Sequence, residues 1–282
     1  MVRSHPLKIG DITCMVLEEG RVNFDRESIL QRYPNATAEE INDALMQLGY
    51  GADETLYNYF NALYIETAGI KILVDTGMGY NPERPQVGQL LPSLQEAGIQ
   101  PDEIDIVYIT HFHGDHYMGL LTDGQPTFPN ARYLTLKTEW DYWLGDDVDE
   151  ALAQRVAGIR SVVDPLRDRF ETVYAGDEIA PGVHAMALPG HTMGQSGLQI
   201  ESGDETLLHL VDLLHHPAQF LYPDWQFVWD TDGELAVKTR RAHLGNAINR
   251  NLLVMFYHLP FPGLGHVERV DTQYHWEPLS TS

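Results

Sequence analysis

The chain has 282 residues, 18 of them lysine or arginine and 41 aspartate or glutamate, for a formal net charge of -23. That balance repels nucleic-acid backbones and anionic membrane surfaces, and the single cysteine, Cys14, excludes an internal disulfide. No run approaches the ~18 apolar residues of a spanning helix, and Met1 to Gly10 lacks the apolar stretch of a signal peptide, so a cytoplasmic protein folding as one domain over residues 1–282 is expected.

Thr37 followed by Glu40 has the spacing of a capping box. Ile41, Ala44, Leu45 and Leu48 then recur at helical intervals up to Gly49, predicting a helix. Asn58 to Thr67 reads as a strand, Ala68-Gly69 as a turn and Ile70 to Val74 as the partner strand, running into Asp75, Thr76 and Gly77. A second helix is expected over Gln89 to Ala97, stopped by Gly98, and an apolar strand over Ile104 to Ile109. Behind that strand stand His111, Phe112, His113, Gly114, Asp115 and His116, three imidazoles and a carboxylate within six residues. A strand ending in a glycine-containing turn can aim such side chains in more than one direction. Neutral imidazole and carboxylate are zinc donors, and a catalytic site keeps one position free for water. One ion would be crowded by this cluster, and two would need further ligands.

Lys137 to Arg169 reads as helices and loops, with Trp140, Tyr142, Trp143 and Leu144 forming either an aromatic core or the wall of a pocket. Short strands follow at Val183 to Leu188, Ser196 to Ile200 and Thr206 to Val211, then a helix over Glu234 to Asn249 and a strand over Leu252 to Tyr257. Both halves mix strands with helices, as two sheets packed face to face with helices outside would. The strand endings carry chemistry. His191 follows a strand in Leu188-Pro189-Gly190-His191-Thr192, Asp212 ends Leu207 to Val211, and His258 ends Leu252 to Tyr257. A carboxylate at the end of a buried strand is costly unless paired or coordinated.

In order, His111, His113, Asp115, His116, His191, Asp212 and His258 resemble the ligand series of the metallo-β-lactamase superfamily, and the resemblance runs from Asp75 to His258. It implies a four-layer αββα sandwich of two mixed β-sheets with outer helices. It also implies two divalent ions, zinc above manganese, iron or cobalt. One would be held by His111, His113 and His191, the other by Asp115, His116 and His258, with Asp212 between them and Asp75 orienting the site from behind. Aspartate rather than cysteine at 212 argues against β-lactam hydrolysis, and the length and charge argue against the nucleases of this fold.

Phe60-Asn61-Ala62, Val74-Asp75-Thr76-Gly77 and Asp212-Leu213-Leu214-His215-His216-Pro217 look like the branch containing N-acyl homoserine lactonases and methyl parathion hydrolase. The resemblance implies a metal-bridging hydroxide attacking a lactone or ester carbonyl, with Asp115 as ligand and proton carrier. Phosphotriester hydrolysis, or a metal-binding module without catalysis, is the alternative. The sequence departs from the lactonases at His215, where they carry tyrosine; an imidazole there either contacts the substrate or packs against Pro217. Candidate pocket walls are Phe24, Met78, Tyr117, Met118, Trp143, Phe220, Tyr222 and Trp225. His5, His184, His209, His243, His266 and His275 match no ligand position. The expected partner is a small lactone, ester or phosphotriester, and a homodimer is left open.

Overall fold

The computed structural model describes residues 3–51 and 53–279; the first two residues of the opening stretch lie outside it. One seven-stranded sheet contains β1 (Ser4–Ile9), β2 (Ile12–Phe24), β3 (Leu56–Thr67), β4 (Ile70–Val74), β5 (Ile106–Tyr108), β8 (Arg132–Leu136) and β9 (Phe170–Val173), side by side in that order. A two-stranded hairpin, β6 (Leu121–Thr122) and β7 (Gln125–Pro126), stands apart. The second seven-stranded sheet runs β10 (Glu178–Ala180), β11 (Val183–Ala187), β12 (Ser196–Ser202), β13 (Glu205–His209), β14 (Leu253–Met255), β15 (Leu264–Val270) and β16 (Gln273–Pro278). Both sheets are mixed. The first is antiparallel from β1 to β4 and parallel from β4 to β9, and the second has one parallel pair, β13 with β14.

Strand alternation builds the layers. Ile72 and Val74 in β4, Ile106 and Tyr108 in β5, and Leu207 and Met255 in β13 and β14 face the core between the sheets. Their neighbours Leu73 and Val107 face the helices outside the first sheet, and Leu208 and Val254 those outside the second. This is the period-2 pattern of strands covered on both faces, which reads as continuous apolar runs rather than alternation. The outer layers comprise α3 (Leu90–Glu96), α5 (Lys137–Leu144) and α6 (Ala153–Val163) on one side and α8 (Gly233–Arg250) on the other. The expected β3–β4 turn is present, with Ala68 and Gly69 both at positive φ (49° and 78°), the backbone a two-residue hairpin requires.

The capping box at Thr37 is formed in full: its hydroxyl accepts from the Glu40 amide and the Glu40 carboxylate accepts from the Thr37 amide. It starts α2 (Ala38–Gln47), which with α1 (Arg26–Leu30) makes an insertion between β2 and β3. Ile29, Tyr33, Ile41 and Leu45 of this insertion pack against Ala218, Trp225 and Phe227, forming a small core of their own. The hairpins β1–β2 and β15–β16 were not anticipated from the sequence.

Candidate metal centre

The two sheets deliver their chemistry through parallel pairs. β4 and β5 run side by side, and the Asp75 amide donates to the Tyr108 carbonyl, so Asp75 and the segment leading to His111 leave the first sheet together. β13 and β14 repeat this in the second sheet and deliver Asp212 and His258. The carboxyl ends of parallel strands are where α/β sheets bind ligands, because the chain must turn there. His191 enters from the turn joining β11 to β12, and the Ser196 amide bonds the Thr110 carbonyl, stitching that turn to the first sheet.

All seven residues read as ligands come together. His113 Nδ1 lies 2.8 Å from His191 Nε2, and His191 Nε2 lies 3.4 Å from Asp212 Oδ2. His116 Nε2 is 3.4 Å from Asp212 Oδ1 and 3.8 Å from Asp115 Oδ1, while His258 Nε2 is 3.0 Å from Asp212 Oδ2 and 3.5 Å from Asp115 Oδ2. The ligating atoms fall into the groups His111, His113, His191 and Asp115, His116, His258, and Asp212 groups both with His111 and His116 and with His191 and His215.

The donor set fits metal ions. His111 Nε2, His116 Nε2 and Asp212 Oδ1 are buried without hydrogen-bond partners, an expensive arrangement unless something ligates them. The opposite ring nitrogens are engaged, which fixes the lone pairs inward. His116 Nδ1 bonds Asp75 Oδ2 at 2.8 Å, His191 Nδ1 bonds Asp230 Oδ1 at 2.9 Å, His258 Nδ1 donates to the Tyr59 carbonyl at 2.8 Å, and His111 Nδ1 faces Thr110 Oγ1 at 3.1 Å. Such partners set the tautomer and orientation of metal-binding imidazoles.

Charge follows geometry. Burial holds His111 and His113 well below the usual histidine range. Burial also opposes the charge on His116, yet Asp212, Asp75 and Asp115 together raise it well above that range. Asp212 is itself disfavoured as an anion by burial, but His258, His116 and His111 hold it ionised. A metal ion would take over the positive charge and displace the His116 proton.

Beside Asp75, expected from the sequence to stand behind the site, two buried carboxylates that escaped sequence reading, Glu139 and Asp230, brace the same loops. Asp75 accepts both the amide and hydroxyl of Thr110, at 2.9 and 2.8 Å, so one carboxylate braces His111 and His116. Glu139 is fully buried and accepts from the Phe112 amide, the Trp143 indole, the Thr192 hydroxyl and the Gly194 amide. It clamps the His111–His113 and His191 loops together. The loop comes so close that a Cβ on Gly194 would lie 2.0 Å from the Glu139 nitrogen. Asp230 precedes the helix-capping Asp232 by two residues and holds His191 Nδ1 through its Oδ1.

A cavity of about 390 Å³ opens on His113, Gly114 and Asp115, bounded by Val22, Asn58, Phe60, Met78 and Trp229 and by Arg32, Arg84 and Arg155. Of the candidate wall residues, only Met78 lines it. Trp143 and Tyr117 belong to the core outside the first sheet, Phe220 packs on Phe256 behind the second, Trp225 stacks on Tyr222, and Phe24 carries the Arg32 guanidinium on its ring. Large aromatics near the motifs served packing. His215 stacks on Phe227 at 3.7 Å and places Nε2 3.3 Å from Asp212 Oδ2, within a metal-competent group with His191 and Asp212 and off the cavity wall. Burial pushes it down to about 3, so it is neutral. Neither nitrogen of His209 has a partner, and it joins none of the metal-competent groups.

A family model of the metallo-beta-lactamase superfamily matches residues 60–247. The chain belongs to the metallo-β-lactamase superfamily. Among curated members, an N-acyl homoserine lactonase of Bacillus thuringiensis is 26% identical over 156 residues, covering 49% of this chain and 56% of that protein. A ribonuclease Z of Clostridioides difficile (strain 630) is 37% identical over 78 residues, 27% of this chain and 22% of the relative. The chain thus spans little more than half the length of the lactonases it matches. Among solved structures, AidC, a dizinc quorum-quenching lactonase in complex with its hexanoyl-homoserine product, superposes with a TM-score of 0.91 at 27% identity, covering 100% of this chain and 99% of AidC. The hydrolase AbOPH, at 24% identity and TM-score 0.89 over 100% of this chain and 99% of its own, shares the fold. Among the described residues no helix is long and apolar enough to cross a membrane.

Proposed function

We propose that this chain is a dinuclear metal-dependent hydrolase of lactones or related esters. The observation that carries the reading is the pair of three-residue groups, His111, His113, His191 and Asp115, His116, His258, with Asp212 between them, opening on a cavity. Nitrogen and oxygen donors without thiolate favour zinc, and the similarity to dizinc AidC supports two ions.

When bound, two divalent ions supply an activated water at neutral pH and Lewis-acid polarisation of the carbonyl. The protein does the rest. Asp75, Thr110, Asp230 and the Tyr59 carbonyl hold four imidazoles in the ligating tautomer. Asp115 faces the cavity and is the most accessible carboxylate of the cluster, so we assign it the transfer of a proton to the leaving oxygen. Its backbone is fixed by the Tyr257 hydroxyl, which donates to the Asp115 carbonyl at 2.6 Å. With Nε2 beside Asp212 Oδ2 and its ring off the cavity wall, His215 is assigned the positioning of that carboxylate rather than a substrate contact. Val22, Phe60, Met78 and Trp229 give the cavity its apolar wall.

The test is turnover by zinc-loaded protein on acyl homoserine lactones and aryl esters, abolished by chelation and restored by zinc. Absence of turnover on both classes, with two ions bound, rejects the proposal.

A further inference from the structure

The cavity in front of the metal-competent cluster carries a charge pattern opposite to that of the chain. In a protein with 41 acidic and 18 basic side chains, its wall holds three arginines and a single carboxylate, Asp115, which turns toward His116 and His258. The arginines arrive from three separate elements. Arg32 follows α1, Arg84 lies in the turn closed by the Val87 amide on its own carbonyl, and Arg155 sits in the first turn of α6.

Among the described residues none of the three pairs with a carboxylate, so each guanidinium is available to a ligand; what sets them apart from the other unpaired arginines is their convergence on one cavity. The Arg32 guanidinium lies 4.1 Å over the Phe24 ring, and the Arg32 carbonyl accepts from the Val228 amide, tying it to the Trp229 side of the rim. A second, independent feature shares the cavity. Asn58 is only 6% exposed, lines the wall, and its Oδ1 has no hydrogen-bond partner. An unpartnered acceptor of this kind is costly unless a ligand donor satisfies it, so Asn58 Oδ1 suits an N–H or O–H group of the substrate, while the arginines suit its oxygens. Guanidinium forks are suited to planar or tetrahedral oxyanions. With a net charge of -23 repelling anions at long range, affinity for one has to come from direct contact of this kind.

We infer that the substrate is an ester or lactone bearing a second, anionic oxygen group, a carboxylate or phosphonate, held by Arg32, Arg84 and Arg155 while the carbonyl meets the cluster. The inference rests on the hydrolase reading and narrows its substrate class. The cavity, about 390 Å³, lies at the small end of ligand sites, ~300–1,000 Å³, so the apolar spacer between the two groups is short.

The test compares 4-nitrophenyl esters of hexanoic acid, of adipic acid with its far carboxylate free, and of the matching phosphonate, using zinc-loaded wild type, Arg32→Met and the double variant Arg84→Met/Arg155→Met. The anionic esters are expected to exceed the neutral ester in kcat/KM by about tenfold, ~1.4 kcal/mol, chiefly through KM. The ratio should fall towards one in the variants, and the larger of the two anionic ratios identifies the group. Calorimetric binding of adipate against hexanoate gives a readout without turnover, because each offers one carboxylate to the cluster and only adipate offers a second. Adipate is expected to bind about tenfold tighter, with the advantage lost in the variants. Equal turnover and equal binding overturn the inference and leave the hydrolase reading standing. Tighter adipate binding without turnover of any ester overturns the hydrolase reading and supports the anion site, and failure of both measurements overturns both.

Discussion

Replacing Asp75 by asparagine isolates what a carboxylate behind the metal centre contributes. Oδ1 accepts the Thr110 amide and Oδ2 accepts both the Thr110 hydroxyl and the His116 Nδ1 proton, at 2.8–2.9 Å. Asparagine keeps the shape and can keep the first bond, but it then turns an NH2 towards two former donors. The Thr110 hydroxyl can rotate and accept. His116 can avoid a donor–donor clash only by moving its proton to Nε2, the nitrogen that faces Asp115 and Asp212, and a protonated nitrogen cannot ligate. Loss of such an orienting partner weakens a metal site by roughly 10–100-fold, ~1.4–2.8 kcal/mol at 1.4 kcal/mol per tenfold. The effect should be larger on the ion of the Asp115, His116 and His258 group, where His116 loses its direct partner, than on the other, where His111 is braced only through Thr110 and His113 and His191 do not touch Asp75. Competition titration against a chromogenic chelator resolves the two binding steps, and a thermal melt verifies the fold. Two ions held with unchanged affinity by a folded Asp75→Asn protein would refute the tautomer argument.

Glu139→Ala leaves four donors without their acceptor; at ~1–3 kcal/mol per unsatisfied buried group, partly relieved by water, a loss on the order of 3–5 kcal/mol is expected in urea unfolding, and a loss below 1 kcal/mol would contradict the clamp. Glu19 is fully buried, accepts the Met78 and Gly88 amides through Oε1, and has no partner at Oε2. Burial pushes its pKa from 4.5 up to about 8. The folded state therefore keeps a proton that the unfolded chain has lost, and stability falls as pH rises from about 4.5 to about 8. Glu19→Gln should be near neutral at pH 5, stabilising above pH 8, and should flatten that slope in urea titrations; destabilisation at pH 8 would show the carboxylate to be ionised and paired. His215→Phe preserves the stack on Phe227 but removes Nε2 from Asp212. Weaker metal binding and about tenfold lower kcat at unchanged KM are expected, whereas a raised KM with intact metal binding would make His215 a substrate contact. Because His116 is held protonated by its carboxylates, zinc affinity should fall as pH drops below that raised value, with proton release visible in buffers of different ionisation enthalpy.

The candidate ligand residues were legible because they lie in the turns that follow apolar strands, β5, β11, β13 and β14, where period-2 burial stops and a polar side chain must find a partner. The residues that make them work were not. Glu139 and Asp230 look like ordinary solvated acids, one in the first turn of a helix and one two residues before a helix cap. Their burial is decided by loops more than fifty and nearly forty residues away, at Thr192 and His191. Aromatic residues misled in the opposite sense. Trp143 and Phe220 lie close to the motifs in sequence but fill the outer cores, because a large ring gains most where it is fully covered. The cavity wall draws instead on Val22, Asn58 and Phe60, whose strands also supply the sheet.

The same logic separates what the fold imposes from what the substrate imposes. Parallel pairs β4–β5 and β13–β14 place Asp75, His111, Asp212 and His258 by topology alone, so any chain that builds these sheets with those residues builds the cluster. Nothing in the sheets requires Arg32, Arg84 or Arg155. They stand on the α1–α2 insertion, a surface turn and an outer helix, and among the described residues none neutralises an acid of its own chain. Three guanidinium groups converging from separate elements on one opening in so acidic a protein are what the comparison of anionic with neutral esters puts to the test.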